Sequence, residues 1–173
     1  EWLRVGAGSE GRDDATPARI NGLLARIPET ERTRWLARAD VAAALGFAWG
    51  EARFWEAAID CLSTALSAAK GNCPLRALEQ LANFRARHAT ELWQSRRARG
   101  VVETADETQA RADLMDRAIA DLTQLCERAP TAERLDLLGS AHKRRALAAE
   151  SDPAARLAAL DACADAYLKS FER

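Results

Sequence analysis

A chain of 173 residues with formal net charge −1, 48% hydrophobic residues, nine Gly and five Pro has enough apolar content to build a core and too little net charge to remain unfolded. Ala supplies roughly a fifth of the residues, far above its usual share. Val/Ile runs and the Gly/Pro turns of a sandwich or barrel are missing, which argues against a buried parallel sheet and for an all-α fold. The near-neutral total gives no global basic field, so nucleic acid is not the expected partner. No stretch is long and apolar enough to span a membrane, and no signal peptide is present.

Residues 1–15 begin with Glu1 rather than Met and include the Gly/Ser/Asp-rich run from Gly6 to Asp14. They read as a linker or tail of an upstream region, and the expectation is a segment of a longer, cytoplasmic polypeptide. Residues 16–173 read as the folded domain, divided by breakers into seven helical stretches. Thr16 caps the first, with Pro17 at its first position, and it runs to about Ile27 before Pro28. A second runs from about Glu29 to Trp49, and Gly50 separates it from a third, from about Ala52 to Lys70, ended by Gly71. Asn72-Cys73-Pro74 starts a fourth, which continues to Arg99 before Gly100. Asp106 with Gln109 forms a capping-box pattern for a fifth, ending before Pro130. Thr131 caps a sixth, to about Ala149, and Asp152-Pro153 starts a seventh, to about Phe171. Short joints make consecutive helices antiparallel neighbours, so the chain reads as stacked helical hairpins.

One hairpin carries a specific pattern. Leu45-Gly46 is followed by Trp49, and then by Trp55, Ala58, Leu62 and Ala65. Small residues at Gly46 and Ala58 let two helices approach, and the large ones fill the space around that contact. This order resembles the tetratricopeptide repeat (TPR), a helix-turn-helix unit of about 34 residues. Leu78, Leu81 and Ala82 resemble its first helix, and Ala118, Leu122, Leu125 and Pro130 its second, across a longer interval than a standard repeat. Leu138-Gly139 with His142 restarts the pattern, His142 standing where the family has Tyr; Cys163, Tyr167 and Ser170 resemble the closing helix. The resemblance covers about Ala39 to Arg173 and implies an α-solenoid of hairpins that bury a core through their neighbours. More finely, the stretches from Ala77 to Arg87 and from Glu133 to Arg144 resemble the TPR portions attached to bacterial CHAT-domain proteins, which are caspase-like. That resemblance implies a regulatory or recognition segment, with any peptidase in a linked domain outside this chain.

Catalytic and metal chemistry find no support in the residues. His88 and His142 lack ligands at metal spacing, and no phosphate loop or nucleophile elbow is present. Cys61, Cys73, Cys126 and Cys163 are far apart with no C-x-x-C pair and read as core thiols. The expectation is a non-enzyme without metal or cofactor.

The TPR resemblance places the residue after Gly46, Phe47, toward a concave groove, as an apolar anchor for a peptide side chain, unless the first helix covers it. Groove positions carried over residue by residue are Asp40 and Glu51 beside it; Arg76, Glu79, Asn83 and Arg87 on the fourth helix; and Glu133, Asp136, Ser140, Lys143 and Arg144 on the sixth. Asn with Arg or Lys one turn away grips a peptide backbone or carboxylate. Phe47, Glu79, Asn83, Arg87, Ser140, Lys143 and Arg144 are therefore the partner-binding candidates, for a protein or peptide segment that the Arg85-to-Arg99 and Lys143-Arg144-Arg145 clusters would prefer acidic. Two alternatives remain open: a structural domain that packs against a linked domain of the same polypeptide, and a helical pocket between the fourth and fifth helices with His88 and a carboxylate around a small ligand.

Overall fold

The computed structural model describes residues 15–69 and 74–173. The expected tail over residues 1–14 and the helix start at Asn72-Cys73 lie outside the described residues. Regular structure among the described residues is all helical: α1 (Ala15–Leu24), α2 (Glu29–Leu36), α3 (Ala39–Glu51), α4 (Trp55–Ala68), α5 (Leu75–Ala98), α6 (Ala105–Arg128), α7 (Ala132–Ala148) and α8 (Pro153–Phe171).

Among the described residues eight helices stand where seven were expected, because the second stretch is two. The break falls at Ala37-Arg38, where Arg38 is extended (φ −77°, ψ 132°) and forks onto Asp40 at 3.0 and 2.6 Å. No Gly or Pro marks it. Packing separates the two pieces: α2 buries no side chain, whereas α3 buries Ala42, Ala43, Gly46 and Gly50. Gly50 does not interrupt the helix either. The α3–α4 turn lies just beyond it, at Ala52 to Phe54, with Arg53 in the left-handed region at φ 64°.

Further along, the capping box of α6 is one turn-start earlier than expected. Thr104, not Asp106, is the N-cap: its hydroxyl accepts from the Glu107 N–H at 3.3 Å, while the Glu107 carboxylate accepts from the Thr104 N–H at 3.0 Å. Thr131 and Asp152 cap α7 and α8 as the sequence indicates, accepting from the amides of Arg134 and Ala155 at 3.2 and 3.0 Å.

The chain divides into two compact units, at Phe84 and Arg85 within α5. In the first, α3 and α4 form the hairpin that the small residues promised. A Cβ on Gly46 would stand 2.6 Å from Leu62 Cγ and 3.2 Å from the Ala58 carbonyl oxygen, so the helices approach to a distance only glycine permits. Trp55, Ala58 and Leu62 of α4 bury with Ala77, Leu81 and Phe84 of α5, flanked by Phe47 and Trp49. Ala42, Ala43 and Ala65 form a neighbouring cluster.

In the second unit α6 turns one apolar face inward: Met115, Ala118, Ile119, Leu122 and Leu125 are buried, spaced as one side of a helix requires. Its partners α7 and α8 bury mostly small residues, Gly139, Ala141 and Ala146 against Ala159, Cys163 and Ala166. The Tyr167 ring lies where a Cβ on Gly139 would meet it at 3.0 Å. Ion pairs give the helix directions. Arg85–Asp121 at 2.6 Å and Arg96–Glu107 at 2.9 Å pair the second half of α5 antiparallel with α6. Arg97 with Glu150, just past α7, sets α5 and α7 running the same way.

Candidate functional site

The partner-binding candidates fall into two groups, each within one unit. In the first unit Phe47 is half-buried against both core clusters, with the Arg76 guanidinium over its ring, 5.3 Å from the centroid. Glu79 is buried and Asn83 half-buried, and the Asn83 amide donates to Gln80 Oε1 at 3.2 Å. Most of Phe47 is thus held by packing, with one face under a cation. The other aromatic residues of this hairpin also pair: Trp49 meets Phe54 edge-on at 5.5 Å, and Trp55 meets Phe84 at 5.4 Å.

The second unit carries Arg87, Ser140, Lys143 and Arg144. Arg87 and Lys143 are exposed, and Ser140 and Arg144 half-buried. Ser140 Oγ and Tyr167 Oη share a hydrogen bond at 2.9 Å, from α7 to α8. Arg144, one turn beyond Ser140, is held below its ordinary pKa first by burial and then by repulsion from the Arg87 guanidinium, while Tyr167 acts in the opposite direction. Arg144 is thus within electrostatic range of Arg87 and of Tyr167, whose hydroxyl is bonded to Ser140. Tyr167, the single tyrosine of the chain, entered the sequence reading only as a closing-helix residue; its role beside Arg144 depends on α8 crossing α7 at Gly139.

Four cations of the broader patch are paired with carboxylates. Arg85 pairs with Asp121, Arg96 with Glu107, Arg97 with Glu150 and Arg145 with Asp116. These carboxylates lie far from their arginines in sequence, so no local spacing could have shown the pairing. No carboxylate is paired with Arg144 among the described residues.

The other candidate chemistries can be located too. No group of three or more His, Cys, Asp or Glu side chains stands together to hold a metal among the described residues. Burial raises the Cys61, Cys126 and Cys163 thiols above their ordinary pKa, which keeps them protonated; Cys73 lies outside the described residues. A cavity of about 1080 Å³ opens between α6, α7 and α8, with Cys126, Leu135, Leu138, His142 and Lys169 in its wall. It contains His142 rather than His88, so it is not the pocket expected between the two long helices. The His142 Nδ1 is buried without a hydrogen-bond partner, and burial pulls the imidazole below its ordinary pKa. No described helix is long and apolar enough to cross a membrane.

Neither the curated proteins nor the solved structures include a match to this chain. A family model does match, that of the Tetratricopeptide Repeats-Sensor domain, over residues 54–173. The matched segment begins at the turn into α4, runs through the paired helices α5 to α8 and covers more than half of the chain. An all-helical array of hairpins closed by small-residue contacts, matched over that length, belongs to the Tetratricopeptide Repeats-Sensor family.

Proposed function

We propose that the domain is a non-catalytic recognition module that binds a protein or peptide segment on the inner faces of the first helices of its hairpins. TPR-type domains are in general interaction modules, and this one presents side chains suited to the task on both units. The observation that carries the reading is on α7 of the second unit, where Arg144 has no carboxylate partner among the described residues while Arg85, Arg96 and Arg145 are tied to carboxylates. A guanidinium gives forked, directional donors for a peptide carboxylate, and a helical scaffold holds it with little ordering cost at binding. Phe47, Glu79 and Asn83 would serve the first unit in the same way, with Phe47 supplying apolar contact.

The finer context is a regulatory segment of a larger, cytoplasmic, CHAT-type caspase-like bacterial protein. It rests on the resemblance of the stretches 77–87 and 133–144, which occupy α5 and α7, the first helices of two hairpins. Any peptidase activity would then belong to a linked domain. Selection from a random peptide library on the purified chain tests the module reading. Enriched peptides should lose at least about tenfold in affinity when Arg87 and Lys143 are both changed to Ala with the fold intact. No enrichment refutes recognition of peptides, and unchanged affinity removes these two residues from the site.

A further inference from the structure

The two sides of α8 are both apolar, and the fold uses only one of them. Ala159, Cys163 and Ala166 are buried on the side that packs on α7. On the other side Leu157, Leu160, Leu168 and Phe171 are 61%, 43%, 60% and 93% exposed, with the exposed Ala164 between them. At 3.6 residues per turn these five lie within about 80° of one another around the helix, so they form one continuous row. The exposed Leu23, Trp35 and Leu75 are different, since each stands singly on its own helix. Single apolar side chains on a surface need no explanation, whereas a contiguous row marks an interface.

Three features select a second copy of this chain as the occupant. The first is symmetry. Along the row the intervals are three, four, four and three residues, the same read from either end, with Ala164 at the centre. A two-fold axis at Ala164 therefore sets Leu157 of one copy against Phe171 of the other, and Leu160 against Leu168, twice each. An interface between identical copies needs that self-complementarity. The small Ala164 lets the two helices cross closely, as Gly46 does between α3 and α4.

The second feature is charge. The chain has formal net charge −1, and α8 itself carries Arg156 and Lys169 against Asp161 and Asp165. Lys169 and Asp165 pair at 2.6 Å beside the row. Two copies of such a helix meet without net repulsion, and antiparallel pairing sets the opposite ends of their dipoles together. The third feature is extent. The row from Leu157 to Phe171 is about 21 Å long on a helix about 10 Å across. It covers less than the roughly 800 Å² per partner of a standard interface, which suits a reversible dimer.

We infer that the outer face of α8 is a homodimer interface, in which two copies of the helix cross antiparallel at Ala164. This association is independent of the peptide-recognition reading.

The test has two arms on the purified chain. Sedimentation velocity from about 1 to 500 μM should show a reversible monomer–dimer equilibrium with a Kd in the micromolar range. L168E and F171S each change an exposed side chain, and each should raise that Kd at least about tenfold. L23E, which places the same charge on an isolated exposed leucine of α1, should leave the Kd unchanged. The second arm fixes the direction of the helices by mild oxidation. A mixture of L160C and L168C should give a disulfide-linked dimer well above the wild-type background, and either variant alone should not. A monomer across the whole concentration range overturns the interface. A dimer that survives both L168E and F171S also overturns it, because association then uses another surface. Linkage in the single variants but not enhanced in the mixture overturns the antiparallel crossing.

Discussion

Gly50→Ala should destabilise the protein although it replaces glycine by the best helix former inside a helix. In an open position of α3 that exchange would gain about 1 kcal/mol. Here the added methyl would stand 2.1 and 2.3 Å from two ring carbons of Phe84, far inside the 3.4–4 Å of ordinary contact. Phe84 has nowhere to go: it is 6% exposed, packed with Leu81 and Ala77 and tilted against the Trp55 ring at 5.4 Å. Overpacking of this kind costs about 1–3 kcal/mol, and the severity of the overlap places it at the upper end. The net loss should be about 2 kcal/mol after the helix-propensity gain is subtracted. Gly22→Ala is the matched control, because a Cβ there meets nothing within 4 Å; it should stabilise by about 0.5–1 kcal/mol. Urea unfolding monitored by far-ultraviolet circular dichroism reads both. A Gly50→Ala variant as stable as the wild type, beside a stabilised Gly22→Ala, would refute the claim that Gly50 is kept for the approach of Phe84. Recovery of part of the loss by Phe84→Leu in the Gly50→Ala background would locate the strain in that one contact.

Three further outcomes follow from the same geometry. Thr104→Ala removes one half of the capping box of α6 and should cost about 1 kcal/mol in urea unfolding, whereas Asp106→Ala, inside the first turn, should cost less than half of that. Arg85→Ala breaks a half-buried ion pair with Asp121 (17% and 30% exposed side chains) and should destabilise by about 1–2 kcal/mol; a double-mutant cycle with Asp121→Ala should show coupling, and strict additivity would mean that the pair contributes nothing. The Glu103 carboxyl is held below its ordinary pKa of 4.5 chiefly by hydrogen bonds from Arg111. Its pKa is lower folded than unfolded, so its contribution is fully present above about pH 4.5 and is lost as the pH falls through the folded value. Glu103→Gln should therefore lower stability at neutral pH and flatten the acid limb of the stability profile; an unchanged acid limb would show that the Arg111 contact does not persist in solution.

Much of the architecture was legible in the sequence because it rests on local and periodic signals. The all-helical class, the α3–α4 hairpin with Gly46 against α4, the caps at Thr131 and Asp152 and the inward face of α6 depend on residue type at fixed short spacings. The α2–α3 break and the role of Gly50 were not legible. Ala37-Arg38 consists of good helix formers, so only the demand that α3 lie on α4 ends the helix there. Gly50 reads as a stop by itself, and only the distant Phe84 shows that it is a contact surface.

The proposed binding residues divide in the same way. From the sequence, the TPR resemblance assigns Arg87, Ser140, Lys143 and Arg144 to first-helix positions, and α5 and α7 carry them. It could not rank them among the other arginines. Tertiary structure separates them by pairing Arg85, Arg96, Arg97 and Arg145 with carboxylates distant in the sequence, while Arg144 has none among the described residues. Helix formation is governed by interactions within a few residues, whereas the balance of charge at a site is set by whichever side chains packing brings within a few ångströms, irrespective of their separation in the chain.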